Sequence, residues 1–393
     1  MREATKTALF GAAAVAVAVT ASVFEPERST PRILSDQGEA FYPLLTDPQA
    51  PRTIEVVDYD EATATARPFK VAFQGGRWMI PSHYNYPIEA GDRLAKTAAA
   101  LIGLRKDQVR SDSPQDHAAL GVVDPLDTKV SGLAGRGKRV TLRDKHGEVL
   151  ADFIFGKPVE NKAGYRYLRV PGQKRAYAVK TDADPSARFA DWTSANLLRL
   201  SSASIRKVTI NSYSIDETMG RLANQETVSL TQESGQWKMA GADRLKTAAV
   251  GAMASALERL RITDVRPKPP SMAQDLKSGQ MRLSLEMAMS LRQKGFLVAP
   301  NGRLLANEGE MMVETANGLV YTLRFGEIAG GSDSRHLFVT AQFDPARATK
   351  FGGDAQTGER AARDLNSRFA DWYYAISGAD FQKLRLRRKD VVP

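Results

Sequence analysis

Internal repetition constrains this chain more than any other feature. Arg188-Phe189-Ala190-Asp191-Trp192 returns unchanged as Arg368-Phe369-Ala370-Asp371-Trp372. Gly76-Arg77-Trp78-Met79 has a counterpart in Gly235-Gln236-Trp237-Lys238. Gly91-Asp92-Arg93-Leu94 matches Gly241-Ala242-Asp243-Arg244-Leu245, and Phe153-Ile154-Phe155-Gly156 matches Leu323-Arg324-Phe325-Gly326. Landmarks that recur in one order imply two tandem copies of a single unit, expected over residues 53–205 and 206–393. Whatever folds the first copy must also fold the second.

Each copy reads as mixed α/β with antiparallel sheets, an α+β fold. Strands are expected at Thr53–Tyr59 and Phe69–Phe73, then at Lys207–Asn211 and Thr227–Thr231, from alternation and β-branched content. A helix follows each Trp strand, with Asp92 or Asp243 placed to accept from the first-turn N–H groups. In the second helix Leu245, Ala249, Met253, Leu257 and Leu260 form an apolar stripe. Hairpins are expected for Arg139–Arg143 with Ala151–Phe155, and for Met311–Thr315 with Leu319–Phe325 across Asn317-Gly318. A short strand (Ala176–Val179, Leu337–Thr340) and a Phe-Ala-Asp-Trp helical turn close each copy. The stretch from Pro267 to Leu291, with a helix expected from Gln280, has no partner in the first copy and is the place to look for a private binding role. The tail Lys383–Lys389 alternates basic and apolar residues, as a last edge strand would.

The N-terminus carries an address. Arg2 and Lys6 precede an uncharged run from Thr7 to Phe24, and Glu25 and Glu27 follow it. As a helix the run spans about 27 Å, near the lower limit for a hydrocarbon core of about 30 Å. The charge order predicts a cytoplasmic N-terminus and a periplasmic body, with residues 1–24 a single-pass inner-membrane anchor. Val19-Thr20-Ala21 leaves open a cleaved signal. Residues 25–52, rich in proline, read as a linker.

Composition excludes several chemistries. The chain has no cysteine, hence no disulfide, thiolate metal site or cysteine nucleophile. The net charge is +10, but basic and acidic residues interleave, so no nucleic-acid stripe forms. Gly132-Leu133-Ala134-Gly135-Arg136-Gly137-Lys138 imitates a phosphate loop, yet Arg139 replaces the magnesium-binding Ser/Thr and a strand follows where a helix is required; nucleotide is not expected. Ser204-Ile205-Arg206-Lys207 has the spacing of an activated serine but precedes a strand. His83, His117, His146 and His336 lack metal-ligand spacing and read as isolated surface residues. Asp58, Asp60 and Glu61 read as a solvated loop. Tyr84, Tyr86, Tyr373 and Tyr374 either line a binding surface or sit partly buried. No catalytic, cofactor-binding or metal residue is assigned.

The N-terminal span, the Trp strand with its following helix, Ala119-Leu120-Gly121-Val122-Val123-Asp124-Pro125, and the Phe-Gly strand before Tyr165-Arg166-Tyr167-Leu168 together resemble a bacterial family called domain of unknown function 4340. The second copy keeps Gly295-Phe296-Leu297-Val298-Ala299-Pro300. The resemblance implies a non-enzymatic accessory role beside ABC-type transporters of the gliding-motility export kind, with transporter subunits as partners. Binding of cell-wall or surface polysaccharide, or an unrecognised hydrolase, are the alternatives.

Overall fold

Alternation of apolar and polar residues builds two large antiparallel sheets. The computed structural model describes residues 36–89, 91–216, 221–279, 282–330, 333–350 and 355–393. The run Thr7–Phe24 lies outside them, and among the described residues no helix is long and apolar enough to cross a membrane.

The first sheet has nine strands: β1 (Thr53–Asp60), β2 (Thr65–Gln74), β3 (Arg77–Ile80), β4 (Tyr86–Pro87), β5 (Gln108–Ser111), β6 (Lys138–Arg143), β7 (Val149–Pro158), β8 (Tyr165–Arg169) and β9 (Ala176–Lys180). Their spatial order is β4-β3-β2-β1-β6-β7-β8-β9-β5. Helix α1 (Gly91–Ile102) and the short α2 (His117–Leu120) lie between β4 and β6 in the chain.

The second sheet has eight strands: β10 (Ile205–Asp216), β11 (Arg221–Glu233), β12 (Gln236–Met239), β13 (Asp264–Pro267), β16 (Glu310–Thr315), β17 (Leu319–Ile328), β18 (Arg335–Phe343) and β19 (Trp372–Ile376). They stand in the order β12-β11-β10-β16-β17-β18-β19-β13. Helix α3 (Thr247–Glu258) precedes β13. Between β13 and β16 come α4 (Pro270–Ser278), α5 (Leu285–Arg292) and the small hairpin β14 (Phe296–Val298) and β15 (Leu304–Ala306). Helices α6 (Pro345–Lys350) and α7 (Ala355–Ala370) join β18 to β19, and α8 (Gly378–Leu384) and α9 (Arg388–Val391) follow.

Every predicted strand except the basic tail exists, usually longer than its apolar centre suggests. Several details differ. The repeated pentapeptide does not occupy equivalent places: Phe189–Asp191 is a 3-10 turn after β9, whereas Phe369 and Ala370 end α7 and Trp372 opens β19. By position in the sheets, Leu337–Thr340 corresponds to β8, not to β9. The basic tail is helical rather than an edge strand, because Ser377 caps α8 and turns Phe381 and Leu384 into the core. Asp243 lies before the turn that starts α3, where Lys246 is the cap. Asp92 falls inside the first turn of α1, and its side chain lies outside the described ones. The helix expected from Gln280 begins instead at Leu285, where Ser284 caps α5, and Gln280 and Met281 lie outside the described residues; α4, which Gly279 stops in the left-handed region at φ 71°, precedes it. Residues 36–52 pack rather than dangle. Phe41 and Leu45 are buried, the Phe41 ring meets Phe153 at 5.5 Å, and Tyr42 donates to the Asp152 carbonyl at 2.7 Å.

One continuous apolar core runs from Phe41 to Val391 and includes inward residues of both sheets. The seam between the sheets is chemically specific. Arg368 reaches Glu89 at 2.6 Å and the Leu197 carbonyl at 3.0 Å, and the Trp372 and Tyr86 rings meet at 5.1 Å.

Candidate functional site

The segment between β13 and β16 covers the outer face of the second sheet. Strand β17 alternates buried Leu319, Tyr321 and Leu323 with half-buried Val320, Thr322 and Arg324. Period two therefore sends Arg324 to the face away from the main core, and its register partner Phe338 on β18 shares that face. Phe338 and Tyr373 of β19 form a second core with Met272, Met287, Leu291 and Phe296 of the covering segment. The Phe296 ring lies 5.7 Å from Phe338 and stacks on Tyr373 at 6.1 Å.

This cover leaves a cavity of about 470 Å³ beside α7. Leu276 and Gly279 of α4 line one side and Gly302–Leu304 another; Phe338–Gln342 form the floor, and Asn366, Phe369 and Ala370 the third wall. Asn366 is committed to the backbone, accepting from Ala341 N–H at 2.9 Å and donating to the same residue's carbonyl at 2.5 Å. Arg303 and Arg324 supply the charge. Both approach the buried carboxylate of Glu310: Arg303 hydrogen-bonds Oε1, and Arg324 Nε lies 3.4 Å from Oε2. Arg324 Nε donates instead to the Leu304 carbonyl at 2.9 Å. Burial lowers the Arg324 pKa and Glu310 opposes it; an arginine remains a cation regardless.

Behind Phe338 lies Lys268, only 5% exposed. Its Nζ donates to the Phe369 carbonyl at 2.7 Å and sits 4.2 Å from the Phe338 ring centre. Burial pushes this ammonium down to about 7, against a small opposing pull from Asp371. His336 on β18 is driven down to about 4 by burial, helped by Lys294 and Arg266, and its Nδ1 has no hydrogen-bond partner among the described residues.

The residues singled out from sequence do not assemble a reactive site. In the phosphate-loop mimic, Gly135 N–H donates to the Glu61 carboxylate at 3.1 Å and Gly137 N–H to the Val123 carbonyl at 2.8 Å. Ser204 Oγ donates to the Ser201 carbonyl at 2.6 Å, and Lys207 lies 3.9 Å from Glu314. Asp60 holds Arg67 and accepts from the Ala62 and Thr63 N–H groups. Only His146 is fully exposed. His117 is buried and bonds the Lys174 carbonyl at 2.7 Å, while His83 is half-buried and stacks on Phe189 at 4.5 Å. No group of three metal-ligating side chains comes together among the described residues. Tyr86, Tyr373 and Tyr374 are core residues, and Tyr84 alone is exposed. Sequence reasoning passed over Arg324, Arg303 and Lys268. A signal for Arg324 was present: where the first landmark has Ile154, the second has Arg324, a guanidinium between two apolar strand residues.

No curated protein and no solved structure matches the chain. A family model matches residues 78–282, which run from β3 to the stretch between α4 and α5 and so take in parts of both sheets. Arg303, Arg324 and the floor of the cavity lie beyond the matched segment. With more than half of its 393 residues matched, the chain belongs to the family described as Domain of unknown function (DUF4340).

Proposed function

We propose that this chain is a non-catalytic binding protein, tethered to the inner membrane through residues 7–24, that serves as an accessory subunit of an ABC-type transporter or a related envelope complex. Its body is two copies of one unit, and the second copy carries the docking surface. The observation that supports docking is the outward side of α5. Leu285 is 77% exposed, Met289, one turn on, is 56% exposed, and the preceding Leu283 is 55% exposed. Three large apolar groups this open on one short segment mark an interaction face more readily than a solvated one.

Duplication is supported by the strand orders. Dropping β4, the first sheet reads β3-β2-β1-β6-β7-β8-β9-β5, and the second follows the same path, with β12, β11 and β10 in the place of β3, β2 and β1. The loop glycines agree as well. Gly121 packs on Lys157, next to Gly156, and Gly295 packs on Glu327, next to Gly326. Among the described residues the corresponding cluster of the first copy is small, Leu120 and Val122 against Ile154 and Ala176 with Tyr167 beside them. The second has expanded that cover into α4, α5 and a hairpin.

Affinity capture from gently solubilised native membranes, followed by mass spectrometry, tests this reading. Stoichiometric recovery of ABC permease and ATPase subunits is expected, with loss of recovery for the folded Leu285→Asp/Met289→Asp variant. Capture of the chain alone overturns the transporter role and turns attention to wall polymers.

A further inference from the structure

We propose that the cavity between the covering segment and the second sheet binds a small carboxylic acid with an unbranched apolar stem, its carboxylate held by Arg324 and Arg303. The inference goes beyond the docking role and does not depend on it, because the cavity faces inward from the covering segment whereas Leu285 and Met289 face out.

Arg324 carries the argument. Its side chain is 16% exposed, so most of its hydration is gone. Such a group requires acceptors, yet Nε alone has one, the Leu304 carbonyl. Among the described residues the two terminal nitrogens of Arg324 have no hydrogen-bond acceptor; neither is sealed from solvent, and the side chain lines the cavity. A half-buried fork of donors on a side chain that lines an open space matches the planar, two-oxygen geometry of a carboxylate.

The charge count selects the kind of anion. Arg303 and Arg324 together bring two positive charges, and Glu310 between them brings one negative. The remaining single positive charge balances a carboxylate, whereas a phosphomonoester would bring nearly two negative charges. Lys268, behind Phe338, adds to the positive potential without reaching the cavity.

The rest of the lining selects the stem. Away from the guanidiniums most of the lining is apolar, with Leu276, Phe338, Phe369 and Ala370 beside the polar Thr340 and Gln342, and Asn366 spends its amide on Ala341. An apolar chain buried there is favoured because its methylenes leave water for apolar walls. A volume of about 470 Å³ falls within the range of about 300–1,000 Å³ for small-molecule sites.

The test is calorimetric titration of octanoate and of its neutral analogue octanamide into the full chain in lipid nanodiscs, with empty nanodiscs as the blank. Saturable octanoate binding is expected, with octanamide weaker by about tenfold or more, as loss of a charged hydrogen-bonded pair dictates. Arg324→Gln is expected to weaken octanoate by a similar factor. Glu310→Gln, which frees both guanidiniums from their internal carboxylate, is expected to tighten it. Equal binding of octanoate and octanamide, no saturable heat, or unchanged binding in folded Arg324→Gln overturns the proposal. If Arg324→Gln does not fold, the acid–amide comparison on the natural chain and the Glu310→Gln variant decide. A leucine tripeptide with a free carboxylate that binds more tightly than octanoate overturns the small-acid assignment in favour of a peptide terminus.

Discussion

Lys268 shows how much one buried charge can weigh. Its Nζ has a single carbonyl acceptor and two ring faces, and no carboxylate within ion-pair distance among the described residues. Because burial lowers its pKa from 10.5 to about 7, the unfolded chain binds more protons between those values. Stability from this group therefore rises with pH across that window, and its full cost is felt at and below neutrality. Lys268→Met is expected to stabilise the protein by about 1 kcal/mol at pH 6–7. The advantage over the natural chain should shrink steadily toward pH 10, as read from paired urea titrations. A pH-independent difference would show that Lys268 binds its proton equally well folded and unfolded, and that burial does not lower its pKa. Nothing in the sequence around Pro267-Lys268-Pro269 announces this burial. It arises because β13 ends beside β19 and delivers the side chain behind Phe338, a consequence of pairing between distant strands.

At the scale of elements, two glycines hold the covering segments to the sheets. A Cβ on Gly156 would stand 2.5 Å from the Leu120 carbonyl, and one on Gly326 would collide with the Lys294 carbonyl and the Phe296 ring. In both strands the pairing register shifts just after the glycine, between Phe155 and Pro158 and between Phe325 and Ile328. Gly156→Ala and Gly326→Ala are each expected to destabilise the chain by about 1–3 kcal/mol, since backbone rather than a flexible side chain must give way. Chemical denaturation measures this, and an unaffected midpoint would mean that the cover can lift at little cost. The Phe-Gly landmarks were legible in the sequence as repeats, and the structure adds their reason, close approach of a crossing backbone. Caps and helix ends were less legible. The second helix begins at Thr247 rather than at Asp243 because Lys246 N–H is engaged by the Val391 carbonyl, a contact from the far end of the chain.

For the whole molecule, the shared core and the seam around Arg368 predict a single cooperative unit rather than two beads. Urea unfolding followed by far-ultraviolet circular dichroism and by tryptophan fluorescence should give coincident curves. Trp78 and Trp192 report on the first sheet, and Trp237 and Trp372 on the second. Arg368→Ala removes a mostly buried pair with Glu89 and is expected to cost about 3 kcal/mol; two separated transitions in the natural chain would refute the shared core. The sequence by itself determined most of the central strands, their antiparallel class and the order of the landmarks, because alternation, glycine placement and turn chemistry act over a few residues. It could not decide what the pentapeptide marks. Its copies lie after β9 and before β19, where Trp192 stacks on Phe69 and Trp372 meets Tyr86. Only the tertiary structure decided where the covering segment lies, which charges it buries and where it leaves a cavity. Those outcomes depend on contacts between residues far apart in the chain, and a local pattern carries no record of the surface it will meet.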